Sequence, residues 1–201
     1  MIKKEKIAKI LRVVSIPPVV VVFLILILST FRKDIFRNKL DIFMPILFLG
    51  MLPILAYPFQ KIIPKYRYLG REFQRKLAFI FASIGYPFAL VWSFLSNASH
   101  HLVVLCSTYF LSLVFLIFCN KVLRIKASGH SCSIAGPLSM LIYWVDWKVI
   151  FLFLIYSVLV FWSSLYLKRH TVKDLIIGVV IGLSSFVISI FGVNFYKGGL
   201  N

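Results

Sequence analysis

Residues 126–137 read KASGHSCSIAGP, in a chain of 201 residues that is otherwise mostly apolar. The stretch opens on a cation, passes through small residues to His130, and continues into a run with helical character. By itself it is either a polar loop between two membrane spans or a place to hold a phosphate group. Which it is depends on what surrounds it.

The surroundings are those of a membrane protein. The chain is 61% hydrophobic and only 14% charged, against about a quarter charged in an ordinary soluble domain. Seven apolar segments lie at about 13–31, 43–59, 77–96, 101–119, 131–145, 149–166 and 174–195. Several approach the ~20 residues that a helix needs to cross a bilayer. The second is short and carries Pro45, Pro53 and Pro58, which points to a kink or an incomplete crossing. The expectation is an all-α polytopic bundle of six or seven transmembrane helices, forming one integral membrane domain over residues 1–201. The basic N-terminus MIKKEKIAKILR lacks a small-residue cleavage site after it and reads as the approach to a first membrane helix.

Charge is lopsided, with 23 Lys and Arg against 6 Asp and Glu. In a soluble protein this would point to nucleic acid. Here the basic residues flank apolar runs, so anionic headgroups are the expected partners and nucleic acid is not. The N-terminal segment and the loops at 60–76, 120–130 and 167–173 hold 17 of the 23. With seven spans these share one face, which the positive-inside rule makes cytoplasmic together with the N-terminus. A prokaryotic cell membrane is the expected location. The mixed basic and apolar stretch at 60–76 fits either an interfacial helix or a plain loop.

A second polar island, SSLYLKRHTVKDLIIG, spans 163–178 and holds His170 and Asp174. Four residues apart, the two share one face if the last helix has begun by His170. A carboxylate at the lip of a membrane helix is costly unless paired. A capped helix end with interfacial charges accounts for the pair. So does a carboxylate that fixes the tautomer of a nucleophilic imidazole. In the first island, Ser128, Gly129 and His130 stand where a helix begins, and its free N–H groups and dipole favour an anion. Lys126 and Arg124 add positive charge, and His130 has the chemistry of a general acid. The 120–130 and 167–173 loops are two spans apart, so one site can draw on both. The combined inventory suits phosphoryl transfer through a phosphohistidine without a metal or other cofactor.

Lys126-Ala-Ser-Gly-His130 followed by Leu165-Tyr-Leu-Lys-Arg-His-Thr-Val-Lys-Asp174 resembles the type 2 phosphatidic acid phosphatase (PAP2) superfamily, related to the vanadium haloperoxidases, in a divergent prokaryotic form. The resemblance covers a core of about residues 121–181. It implies that His170 is the nucleophile, Asp174 its orienting partner and His130 the proton donor to the leaving group, with Ser128 and Gly129 on the phosphate oxygens. The family's third motif carries an arginine six residues before its histidine, where this chain has Ser164. Arg169 or Lys168 is the expected substitute. The family's first motif is compressed here into KVLRIKASGH, with Lys126 and Arg124 as phosphate-binding cations.

The implied activity is hydrolysis of a lipid phosphate or a polyisoprenyl diphosphate. Ser164 motivates an alternative, a catalytically silent lipid-phosphate-binding or scaffold protein. A third reading is a small transporter in which His170 and Asp174 relay protons. Elsewhere, Cys106, Cys119 and Cys132 form no metal-ligand pattern and read as small buried hydrophobes. Gly178 and Gly182 form a G-x-x-x-G, explained by close helix packing or by a dimer.

Overall fold

The computed structural model describes residues 2–145 and 147–198, and every regular element among them is helical. In chain order these are α1 (Ile2–Val14), α2 (Pro17–Phe31), α3 (Lys39–Pro45), α4 (Leu52–Ile62), α5 (Arg71–Leu95), α6 (His100–Ile117), α7 (Gly129–Trp144), α8 (Trp147–Tyr166) and α9 (Val172–Gly198).

The chain breaks where the sequence predicts the first span to be under way. α1 and α2 meet at an angle of 65°. Pro17 has no N–H to donate, and Ile16 before it is held extended at φ −63°, ψ 143°. The basic segment therefore forms a separate helix, and the apolar run starts again at Pro17 with proline in the first helical turn. α1 folds back to pack on α8, and the Tyr156 hydroxyl donates to the Val14 carbonyl at 3.2 Å.

The proline-bearing second segment runs on as one unit. α3 passes into a π-helical stretch, Ile46–Met51, and then into α4. A wider π register carries the helix past a proline that cannot donate. The unit, Lys39–Ile62, is long and apolar enough to cross a membrane, as are Glu72–Leu95, His100–Val122 and Val172–Tyr196. By length and composition the described residues thus give four spans, or five if the bent α1–α2 pair counts as one. The expected six or seven are not reached on that measure. The shortfall lies with α7, which has 16 residues and is rich in Ser and Gly, and with α8, of which the stretch Ile150–Tyr166 enters that measure. Residues 63–70 form turns rather than an interfacial helix. The buried Gln60 side chain closes them by donating to the carbonyls of Leu69 and Tyr66.

The core lies where α2, α5, α6, α7 and α9 converge, with Leu24, Leu28, Leu102, Leu105, Met140 and Leu141 fully enclosed. α9 packs most extensively on α7 and then on α6. The G-x-x-x-G explains how closely. A Cβ on Gly178 would collide with the Ser131 hydroxyl and the Ser128 carbonyl, and one on Gly182 would lie 2.7 Å from the Cys132 carbonyl. The two glycines seat the last helix against the first two turns of α7, which makes their packing intramolecular. Cys106 and Cys132 are buried and Cys119 half-buried, all as free thiols.

Candidate active site

α7 begins at Ser128, whose backbone is extended (φ −87°, ψ 113°) and whose hydroxyl accepts from the Ser131 N–H at 3.4 Å. Serine suits this N-cap because its short side chain reaches an otherwise unbonded N–H of the first turn. The Ser131 hydroxyl returns a bond to the Ser128 carbonyl at 3.1 Å. Ahead of the cap, the Asn120 side chain accepts from the Ala127 N–H at 3.1 Å and folds the loop toward α7. Gly129 sits in the first turn with open space where a side chain would project. The N-terminal amides of α7 are thus unobstructed on that side.

α9 begins with a reciprocal cap. The Thr171 hydroxyl accepts from the Asp174 N–H at 3.2 Å, and the Asp174 carboxylate accepts from the Thr171 N–H at 3.1 Å and from its hydroxyl at 2.9 Å. Thr-x-x-Asp here works as a capping box. The same carboxylate oxygen that takes the Thr171 N–H lies 3.4 Å from His170 Nδ1 and 3.4 Å from Lys126 Nζ. A carboxylate only accepts, so this contact places the imidazole proton on Nδ1 and leaves Nε2 with its lone pair. One residue therefore caps the helix and orients the histidine.

The islands are joined directly. The Ser128 N–H donates to the Asp174 carbonyl at 3.0 Å, and Lys126 bridges the Asp174 carboxylate and, at 3.3 Å, the Arg169 carbonyl. Ser128, His170 and Asp174 are buried, and His130 is half-buried. It is the main chain of Arg169 that meets Lys126; the Arg169 side chain, like that of Arg124, is exposed. Arg124 holds a left-handed turn at φ 54°. Lys168, also left-handed at φ 50°, turns the chain between α8 and His170.

Two cations that sequence reasoning did not place here also act on the histidines. Arg12 of α1 donates through Nη1 to the Ser164 hydroxyl at 3.3 Å, across 152 residues of chain. Arg75 of α5 lies close enough to act on both imidazoles. Burial, then Arg12, and then Lys126 and Arg75 push the His170 pKa down to about 4, with Asp174 opposing. Burial, Arg12 and His170 push His130 down to about 3. Both rings are neutral near pH 7. Neutral His170 keeps the Nε2 lone pair. A bound phosphate dianion would offset the surrounding positive charge and restore proton affinity to His130.

No local pattern marks Arg12 or Arg75 in the sequence, since each reaches the site only through the packing of its helix. They do belong to the basic face formed by the N-terminal segment and the 60–76, 120–130 and 167–173 loops.

No curated protein and no solved structure matches the chain. Residues 124–196, which hold His130, His170, Asp174, and all of α7, α8 and the capped start of α9, match the family model of the PAP2 superfamily.

Proposed function

We propose that the protein is a membrane phosphatase that hydrolyses a lipid phosphate or a polyisoprenyl diphosphate through a phosphohistidine on His170. The observation that carries this reading is the shared Asp174. Its carboxylate orients His170 and meets Lys126, and its carbonyl holds the Ser128 N–H at the start of α7. Nucleophile and anion-binding helix end are thereby fixed to one residue, which is the preorganisation that phosphoryl transfer needs.

In the first step His170 Nε2 attacks phosphorus and the bond to the lipid oxygen breaks. His130, protonated once the dianion is bound, gives its proton to the leaving oxygen. In the second step water attacks phosphorus and gives a proton to His130, the P–N bond breaks, and inorganic phosphate leaves with His170 neutral again. Ser128, Gly129 and Lys126 hold the phosphate oxygens, with Arg124 and Arg169 supplying positive charge from the rim.

A lipid substrate is supported by a wholly apolar groove of about 230 Å³ between α8 and α9. It is lined by Leu165, Val172, Leu175, Ile176, Val179 and Val180, so it begins two residues from His170 and follows α9 away from the site. A hydrocarbon tail lying there would leave its phosphate at the helix ends.

The test is phosphate release by purified protein in detergent from phosphatidic acid, phosphatidylglycerol phosphate and a polyisoprenyl diphosphate, with and without chelator. Release that survives chelator and disappears in His170→Ala is the expected result. A well-folded protein that releases no phosphate from any of them overturns the reading in favour of a silent binding protein, the alternative that Ser164 motivates.

A further inference from the structure

Ser164 lies in the last turn of α8, fully buried, six residues before His170. Its carbonyl accepts the Arg169 N–H at 3.0 Å, which closes the turn leading to His170. Its hydroxyl accepts from Arg12 at 3.3 Å. This bond holds the guanidinium at the turn that leads to His170. The main chain of Arg12 also lies against the His130 ring. After burial, Arg12 is the strongest influence on the proton affinity of both histidines, so its charge is felt where phosphorus would sit between them. A transferring phosphoryl group spreads charge over three oxygens, and a guanidinium fork is the side chain that best matches it.

We propose that Arg12, presented by α1 and aimed by Ser164, is a phosphate-binding residue of this site, so that α1 forms one of its walls. The inference rests on the phosphatase reading and extends it to a residue outside the family segment, which starts at residue 124. It also gives Ser164 a role: the small side chain leaves room for a guanidinium from another helix and supplies its acceptor.

The test compares the parent, Arg12→Ala, Arg12→Lys and the double variant Arg12→Ala with Ser164→Arg. It measures phosphate release and the rise in melting temperature caused by inorganic phosphate. Loss of about 10²–10³-fold in kcat/KM is expected for Arg12→Ala, the scale of removing one preorganised donor. Arg12→Lys should recover only part of it, because an ammonium lacks the fork. Ser164→Arg should restore at least about tenfold (~1.4 kcal/mol) in the Arg12→Ala background. Rescue from the opposite helix is something a purely structural role for Arg12 would not give.

Should Arg12→Ala fail to fold, Arg12→Lys at the parent melting temperature carries the comparison. Parent-like turnover and parent-like phosphate stabilisation in a folded Arg12 variant would overturn the inference while leaving the phosphatase reading intact. A parent that releases no phosphate overturns the phosphatase reading instead. Phosphate stabilisation that then vanishes in Arg12→Ala would still support Arg12 as an anion-binding residue.

Discussion

The main-chain N–H of Ser128 donates to the main-chain carbonyl of Asp174 across 3.0 Å. This bond ties the start of α7 to the start of α9, and both histidines stand within two residues of one partner or within four of the other. The site is therefore rigid where it must be, since no side-chain rotamer sets the separation of the two motifs. Substitutions at these positions should separate chemistry from folding.

Asp174→Asn keeps the size of the side chain and the backbone bond to Ser128. It removes the acceptor-only group that puts the His170 proton on Nδ1. Turnover should fall by about 10²–10⁴-fold, the range of a lost acid–base arrangement. Part of the helix cap is lost as well, at roughly 1 kcal/mol. Steady-state kinetics beside a detergent melting curve distinguish the two effects. Parent-like kcat would remove Asp174 from the mechanism.

Gly178→Ala tests the seam that brings the islands together. The added methyl meets the Ser131 hydroxyl and the Ser128 carbonyl. Overpacking of this kind costs about 1–3 kcal/mol, so a lower melting temperature and weaker activity are expected together. Adding Ser131→Ala should relieve little, because the Ser128 carbonyl is backbone and stays in place. A fully active Gly178→Ala protein would show that α9 can slide on α7 without harm to the site.

The pH profile follows from His170, whose pKa is pushed down to about 4. A neutral nucleophile is required, so the acidic limb of kcat/KM should lie near 4 rather than at the ordinary ~6.5 of histidine. Removing Arg12 should move that limb upward. The sign for stability follows from the same shift. The unfolded chain takes up a proton near 6.5 and the folded one only near 4, so this group's stabilisation is complete above ~6.5 and is lost as pH falls toward 4. A limb at 6.5 would mean that His170 is neither buried nor surrounded by cations in solution.

Ile176→Trp should fill the apolar groove between α8 and α9. KM should rise several-fold for a long-chain lipid phosphate and stay unchanged for a short, water-soluble phosphate ester. Equal effects on both would detach the groove from substrate binding.

The helical class and most apolar segments were legible in composition alone, because a bilayer demands long apolar runs. The Ser-Gly-His and His-x-x-x-Asp elements were legible because helix caps use short, fixed spacings. The break at Ile16 was written in Pro17 and Pro18, but the apolar residues on either side masked it. Arg12 was not legible at all. Its place depends on α1 folding back onto α8, and no periodicity within thirteen residues encodes which distant helix will receive them. The 60–76 stretch was ambiguous for a different reason. Its aromatic and basic residues suit an interface in any conformation; the structure divides them between the end of α4, turns at 63–70 closed by Gln60, and the start of α5.

The bond from Arg12 to Ser164 spans 152 residues, so it has a consequence in time as well as in space. During synthesis α1 emerges long before α8, whatever precedes it in the chain. It must wait through the translation of the six helices α2 to α7 before its resting place on α8 exists. Closing so long a loop is entropically late but only slowly more costly with length. Arg12 therefore reaches Ser164 as one of the final acts of assembly, and a nascent chain stopped before α8 holds its first helix without the surface it is shaped to meet.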